Sequence, residues 1–361
     1  MTGWTIFRYF LRRYLVTVAQ VLGTILIVAY LVDFTEFARR AGNLPDYTFA
    51  KGIYLSAMRM PMIAMLVWPF IALIAGMLTL IALNRRYELV VLRASGVSAW
   101  QFLLPICSGA LLVGSFAVGV VNPIAAKSLE TVREMEVAFR GWAPNSDELR
   151  VPWLVESAPD GDTVIGATRT ARSGLLLGDA TFLRLDSAGN LVERYDARSA
   201  TLERGAWQLE DVQRSSLNEE QTRFATLRLP SSLDPAFLEN HLVDPEVIPF
   251  YELPANIERA QHMGMRTDRF SMHFHSLLAL PALMVAMTLI AATASLRFAR
   301  MGQSATLLVG GVLSGFLLYV ALITFTAFGN VGFLPAPIAA WSPVAAAFFF
   351  GVTLLLHMED G

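Results

Sequence analysis

NRRYELVVLRASGVSAWQ, residues 84–101, joins two long apolar segments and is therefore a short loop at a membrane face. Inside it lies a second apolar run, Leu89–Leu92, which is flanked by arginines and one acid. Gly96 is the residue type that ends a helix at the C′ position, and Ser98 followed by Gln101 matches a capping box that opens the next helix. The loop is predicted to hold a short amphipathic helix that a partner covers, as in helix-in-groove docking.

The composition on either side of this loop indicates a membrane protein. Apolar residues make up 55% of the chain and charged residues 16%, whereas ordinary soluble domains have about 25% charged residues. A membrane-spanning helix needs roughly 20 apolar residues. Six segments free of Asp, Glu, Lys, Arg and His meet that test approximately: 15–32, 61–83, 102–121, 277–296, 305–328 and 336–356. The first lacks a small-residue cleavage site, so we expect a retained span rather than a signal peptide.

Six spans place both termini on one side of the membrane. That side carries eight basic residues, namely Arg8, Arg12, Arg13, Arg85, Arg86, Arg93, Arg297 and Arg300. The short loops on the opposite side carry four, namely Arg39, Arg40, Lys51 and Arg59. Because short cytoplasmic loops are enriched in Lys and Arg, both termini and the loop 84–101 are predicted to be cytoplasmic.

A long polar insert, residues 122–270, separates the third span from the fourth. It carries 16 basic and 24 acidic residues, a net charge of −8, which argues against nucleic acid as a partner. Its short alternating apolar and polar runs are separated by turn signals such as 160–162 and 204–205, a pattern that predicts an antiparallel β domain, either a sandwich or a jelly roll. The predicted fold is a membrane bundle of six transmembrane helices, from 1–121 and 271–361, with an inserted periplasmic β domain.

The sequence contains no recognisable enzymatic constellation. It has no GxxxxGK[ST] phosphate loop, so this chain alone is not expected to hydrolyse nucleotides. His273 and His275 are two residues apart, which points them to different faces of a helix and disfavours a metal pair. Asp268 and Ser271 lie nearby without a nucleophile elbow. No catalytic residue, metal site or bound cofactor is therefore predicted.

Arg39 and Arg40 form a basic pair just beyond the first span, on the side where the positive-inside rule disfavours them. Each guanidinium can donate two parallel hydrogen bonds, which suits phosphate. The alternative is an interfacial anchor that contacts ordinary headgroups or pairs with Glu36. Asp33 and Glu36 precede the pair and weaken its positive field.

Glu88 is the one acid among three arginines in the loop. It is predicted either to meet a basic group on a docked partner or to make local contacts with Arg85, which contribute a few tenths of a kcal/mol. The adjacent apolar run favours docking.

The tract RRYELVVLRASGVS, residues 85–98, resembles the cytoplasmic loop of the LptF/LptG permeases of lipopolysaccharide export. The order of parts agrees with that family: three spans, a β domain, then three spans. The basic pair followed by Ala41-Gly42, the GFLLYV tract at 315–320 and the LPAPIAAWSP tract before the sixth span are more similar to the LptG branch. The resemblance covers essentially the whole chain, and it is weakest in the β domain.

The resemblance implies a permease half that pairs with an LptF-like permease on an LptB-like ATPase dimer, which would hold the ATP and Mg²⁺. Such a pair takes lipopolysaccharide from the Gram-negative inner membrane and passes it to an LptC-like periplasmic bridge protein. By the same resemblance the first and fifth spans form a lateral gate, and Arg39 and Arg40 lie near the lipid phosphates. By the same resemblance Glu88 matches the loop acid that lies in the ATPase groove. The predicted ATPase-coupling residues are Glu88 together with its loop neighbours Arg85, Arg86, Leu89, Leu92 and Arg93.

Three other classes of membrane protein are alternatives to a permease of this family. A membrane-anchored sensor or scaffold would use the β domain to bind a ligand, and it stays open as the alternative. A MacB/FtsX-like permease places its outer domain between the first and second spans, unlike this chain. A secondary transporter is expected to show inverted repeats and ionisable residues inside its spans. The six apolar segments of this chain contain no Asp, Glu, Lys, Arg or His, which argues against that class.

The predicted orientation can be checked by thiol labelling in spheroplasts. With Cys107 replaced by Ser, a cysteine at Asn190 should react with a membrane-impermeant reagent, and a cysteine at Ser98 should not. Both should react after permeabilisation, which controls for reactivity. Labelling at Ser98 together with protection at Asn190 would reverse the orientation.

Overall fold

The computed structural model divides the chain into two compact units. The helical unit comprises residues 1–30, 60–125 and 248–361, and the sheet unit comprises 31–59 and 126–247. The structure describes residues 2–42, 48–138, 154–158, 161–171, 175–186, 190–203, 205–216, 219–231, 244–262, 267–301 and 305–360.

Nine α-helices lie in the described part of the chain. They are α1 (Thr2–Ala41), α2 (Phe49–Arg85), α3 (Glu88–Ala94), α4 (Ala99–Phe116), α5 (Asn122–Ala138), α6 (Leu253–His262), α7 (Asp268–Met301), α8 (Ala305–Val331) and α9 (Ala336–Asp360). A π-helical turn, Ala117–Val121, joins α4 to α5, and Pro245–Val247 forms a 3₁₀ turn. Six helical stretches are long and apolar enough to cross a membrane. The six predicted spans are therefore confirmed.

The third span continues further than its apolar run indicates. The sequence predicts that the polar insert begins at residue 122, but α5 extends the helix from there to Ala138. Lys127 and Glu130 end the apolar run without ending the helix, because α5 buries Ala125, Ala126 and Val132 on one face. A search for continuous apolar residues cannot detect such an amphipathic extension.

Helix α7 is the centre of the helical unit. In its most apolar segment 78% of the residues are buried, compared with 6% in α1 and 11% in α8. Helix α7 packs against α4, α6, α8 and α9. Glycines permit the closest approaches: a Cβ at Gly114 would lie 2.6 Å from the Pro281 Cα. Small residues at helix contacts are a common means of close packing inside membranes.

Six antiparallel strands form the sheet of the second unit. They are β1 (Leu154–Ala158), β2 (Gly161–Ala171), β3 (Leu176–Leu185), β4 (Leu191–Glu203), β5 (Ala206–Ser216) and β6 (Glu219–Pro230), and they neighbour one another in chain order. The predicted helical bundle with an inserted antiparallel β domain is confirmed. The finer jelly-roll arrangement stays a prediction, because residues 139–153 and 232–243 lie outside the described residues.

The predicted turns differ in accuracy. Gly205, with φ +79°, lies between β4 and β5 as the turn prediction requires. Of the turn predicted at 160–162, Gly161 and Asp162 instead belong to β2, and residue 160 lies outside the described residues.

One apolar cluster, here called the sheet cluster, covers one side of these strands. Its buried members are Ile165, Leu177, Ala180, Phe182, Tyr195, Ala197, Ala200, Leu202, Trp207, Leu209 and Val212. The Phe182 and Trp207 rings meet edge to face, with centroids 5.6 Å apart. This cluster gives the sheet a continuous apolar interior on one side.

In neighbouring strands the alternation of buried and exposed residues shifts by one residue at adjacent positions. The line through these positions is here called the phase line. In β4 the buried apolar residues are Tyr195 and Ala197 before the line, then Ala200 and Leu202 after it. Side chains of a regular strand alternate between the two faces, so a change from odd to even positions places one residue out of phase. In β5 the same change separates Leu209 from Val212.

Two aspartates mark this phase line in the backbone. Asp179 in β3 has φ +49° and Asp211 in β5 has φ +52°. Pairing continues on both sides of Asp179, with Gly178 opposite Arg169 and Ala180 opposite Ala167. A left-handed non-glycine residue costs about 1–3 kcal/mol and persists only where its surroundings over-determine it.

The close approach at Gly114 predicts a sharp stability difference. Gly114→Ala should lower the thermal unfolding midpoint in detergent, because overpacking costs about 1–3 kcal/mol. Gly23→Ala is the control, since a Cβ there meets nothing within 4 Å and alanine favours the helix. Equal midpoints for the two variants would contradict the packing described for α4 and α7.

Candidate functional site: a docking helix and a basic pair

The loop 84–101 folds as the short helix α3 with sharply defined ends. Tyr87 precedes it with a left-handed backbone, φ 59°. At the other end the Gly96 amide donates to the Arg93 carbonyl (3.0 Å) and the Val97 amide donates to the Leu92 carbonyl (3.1 Å). These two bonds form a Schellman motif with Gly96 at C′, φ +84°. The predicted helix end is therefore confirmed.

The predicted capping box at the start of α4 is only half right. Ser98 occupies the N-cap position with extended backbone, but its side chain makes no capping hydrogen bond. The Gln101 amide donates instead to the Ser98 backbone carbonyl at 3.2 Å. The position of the helix start was readable from the sequence, whereas the side-chain rotamers were not.

The apolar run within α3 has two faces. Leu89 is 3% exposed and anchors α3 to its own chain, and Leu92 is half-buried. Val90 and Val91 are exposed, at 51% and 66%. Leu89 belongs to the predicted ATPase-coupling residues, but its side chain is buried against its own chain. The available apolar surface belongs to Val90 and Val91.

Glu88 contacts the first helix rather than lying in water alone. The Tyr9 hydroxyl donates to Glu88 Oε1 at 3.2 Å, and Arg13 Nη1 donates to the same hydroxyl at 3.1 Å. The sequence does not indicate this contact, because nothing local connects residues 79 positions apart. The contact ties α3 to the beginning of α1.

The arginines of the loop have different environments. Arg85 ends α2 and Arg86 follows it, and both are exposed. The Arg93 guanidinium lies over the Phe102 ring, 5.8 Å from its centroid. The loop thus combines three cations and two exposed valines with the single carboxylate of Glu88.

The basic pair at the end of α1 is partly neutralised within its own helix. Glu36 accepts a bond of 2.7 Å from Arg39 Nη2 and one of 2.5 Å from Arg40 Nε. The Arg39 side chain is 73% exposed and the Arg40 side chain 34% exposed. The structure thus shows the pairing with Glu36 that the sequence left open. Such exposed pairs are weak and screened by salt, so an incoming phosphate can compete with Glu36.

The second acid before the pair has a different partner. Asp33 accepts hydrogen bonds from Arg59 Nη1, at 3.2 and 3.4 Å to its two oxygens. Asp33 is therefore directed to α2 and not to the basic pair. Glu36, Arg39 and Arg40 together keep a net charge of +1.

In the part of the chain that the structure describes, no group of three or more His, Cys, Asp or Glu side chains is arranged to hold a metal ion. The docking role of α3 and the anion contact at Arg39 and Arg40 stay predictions.

Comparison with known proteins gives one consistent result. A family model described as "Lipopolysaccharide export system permease LptF/LptG" matches residues 8–357. Two curated relatives are named lipopolysaccharide export system permease protein LptG, from Escherichia coli strain K12 and from E. coli O6:H1 strain CFT073. This chain is 23% identical to each over 360 residues, covering 97% of this chain and 97% of each relative.

Proposed function

Because this chain belongs to the LptF/LptG family of lipopolysaccharide export permeases, we propose that it is one permease subunit of an ATP-driven lipopolysaccharide exporter. The family resemblance read from the sequence is confirmed, and the chain is a multi-pass protein of the inner membrane. In our proposal it takes lipopolysaccharide from the outer leaflet and delivers it to an LptC-like protein of the periplasmic bridge. Both termini lie in the cytoplasm in this arrangement.

The energy for this cycle comes from a separate subunit. The sequence has no phosphate loop, so an LptB-like ATPase dimer supplies ATP and Mg²⁺ binding. The observation that carries the proposal is α3, a seven-residue helix that presents Val90 and Val91 to solvent beside Glu88. A short helix with an exposed apolar face fits a groove on a partner, and Glu88 offers that partner a charge.

The Tyr9 contact gives the docking helix a route to α1. A basic group of the ATPase that takes Glu88 competes with the Tyr9 hydroxyl, and Arg13 then loses its link to α3. Movement of the ATPase is thereby transmitted to the N-terminal end of α1, the longest helix in the described part of the chain. Arg85, Arg86 and Arg93 lie in the same loop and add charge complementarity to an acidic groove rim.

The partner permease has room beside α1 and α8. In the most apolar segments of these two helices, only 6% and 11% of the residues are buried within this chain. An LptF-like subunit that faces them completes a cavity between two half-permeases, which is where the lateral gate belongs. A membrane-anchored sensor does not need two such open helices, and the family match favours the permease.

The physical requirement of the cargo fits this arrangement. Moving acyl chains from a bilayer into water costs about 0.8 kcal/mol for each CH₂ group. That cost falls if the chains pass from an apolar space between helices to the apolar sheet cluster. Arg39 and Arg40 contact the phosphates of the lipid in our proposal, displacing Glu36 as they do so.

Charge reversal at Glu88 tests the coupling. Glu88→Lys should abolish ATP-dependent lipopolysaccharide release by the purified complex, since losing one member of a buried interfacial charge pair costs about 2–5 kcal/mol. Glu88→Ala should be milder. Glu258→Lys is the control, an identical change at an exposed acid of α6, and it should release lipid normally. Full release by Glu88→Lys with an unmodified ATPase would contradict the coupling role.

Reversing the charge of the basic pair tests the lipid contact. The double variant Arg39→Glu with Arg40→Glu should lower photocrosslinking to lipopolysaccharide about tenfold, because like charges placed together cost several kcal/mol. Assembly with the ATPase should not change, since α3 is untouched. Lys51→Glu, an exposed basic residue of α2, controls for charge. Unchanged crosslinking in the double variant would leave the pair as an interfacial anchor only.

A further inference from the structure

One cation of the sheet unit joins three helices. Arg59, near the start of α2, donates from Nη1 to Asp33 of α1 and from Nη2 to Glu136 of α5. Its guanidinium also lies over the Phe37 ring, 5.1 Å from the centroid. The side chains of Arg59, Asp33 and Glu136 are 20%, 20% and 18% exposed. The three groups are therefore largely removed from solvent and held by each other.

The contact continues from α5 to the sheet. The Glu136 backbone carbonyl accepts a hydrogen bond of 2.6 Å from Arg169 Nη1 of β2, and Arg169 Nη2 donates to the Asp179 carboxylate of β3. The Arg169 side chain is 3% exposed. We call the five residues Asp33, Arg59, Glu136, Arg169 and Asp179 the ion chain. It runs without a gap through α1, α2, α5 and two strands of one compact unit.

Both ends of the ion chain lie at special positions. Asp179 has a left-handed backbone on the line where the strands change phase, so Arg169 holds the residue that sets that line. Asp33 lies on α1 two turns before Arg39 and Arg40. The Asp33 end of the ion chain thus fixes the part of α1 that carries the basic pair. The Asp179 end fixes the sheet that carries the sheet cluster.

Apolar packing already joins these helices. Phe37, Ala41, Leu55 and Val132 form a buried cluster at the same place. A buried ion pair adds little stability beyond what well-packed apolar residues supply. The guanidinium groups add direction, because each planar fork fixes the carboxylates and carbonyl that it bonds.

Resting on the proposed function, we propose that Arg59 and Arg169 are positioning residues for lipid passage. They set the end of α1 relative to the sheet, so that a lipid leaving the basic pair meets the apolar sheet cluster. Neither residue needs to touch the lipid. Losing the ion chain should therefore impair transfer from α1 to the sheet while leaving lipid contact at α1 intact.

The test measures the two stages separately in the full complex with ATP. A photocrosslinking residue at Thr35 of α1 reports lipopolysaccharide at the first stage, and one at Leu227 of β6, which packs on the sheet cluster, reports the second. Arg59→Met should lower crosslinking at Leu227 about fivefold and leave crosslinking at Thr35 unchanged. Arg194→Met is the control, because it removes an exposed ion pair with Asp196 in the same sheet.

A second variant separates positioning from misfolding. Arg59→Met combined with Asp33→Asn and Glu136→Gln removes all three charges and leaves no unpaired carboxylate. It should assemble and hydrolyse ATP normally, yet show the same loss at Leu227.

Normal crosslinking at Leu227 in the triple variant would overturn the proposal, as would equal loss at Thr35 and Leu227. Absence of lipopolysaccharide crosslinks at both positions in the unaltered complex would instead contradict the proposed function itself.

Discussion

Backbone N–H and C=O groups inside a bilayer have no water to bind, so each must be paired within its own segment. This constraint explains why the apolar parts of the chain are long helices and why the strands belong to the polar insert. It also explains why additional hydrogen bonds occur where a helix becomes irregular. At the π-helical turn Ala117–Val121 the Gly119 carbonyl accepts a hydrogen bond from the Tyr251 hydroxyl at 3.0 Å, and the Asn122 side chain accepts one from the Phe250 amide. Tyr251 therefore gives the Gly119 carbonyl a hydrogen-bond donor, and Asn122 in turn gives the Phe250 amide an acceptor.

In the proposed function this chain guides the lipid and another subunit supplies the energy, so α1 has to be connected to both sites. Two polar contacts within the chain hold α1 near its ends. At its beginning Tyr9 bonds Glu88 of the docking helix, and near its end Asp33 bonds Arg59. Between them few residues of α1 are fully buried within this chain. The helix that faces the proposed partner permease is thus held by polar contacts near both ends.

The sequence predicted what depends on composition and on local backbone chemistry. The six spans follow from apolar runs, and the end of α3 follows from Gly96. What it could not predict depends on folding in three dimensions. The inward face of Leu89 is set by its neighbours in space, and the link between Arg59 and Glu136 joins residues 77 positions apart. The amphipathic continuation into α5 was missed because polar residues interrupt its apolar run.

The measurement that tests the account most directly is site-specific crosslinking from the docking helix to the ATPase in the assembled complex. A photoreactive residue at Val91, which is 66% exposed, should capture the ATPase. The same residue at Leu89, which is 3% exposed, should react within its own chain. Capture of the ATPase from Leu89 and not from Val91, or from neither position, would contradict the assignment of α3 as the element through which this permease receives the energy of ATP.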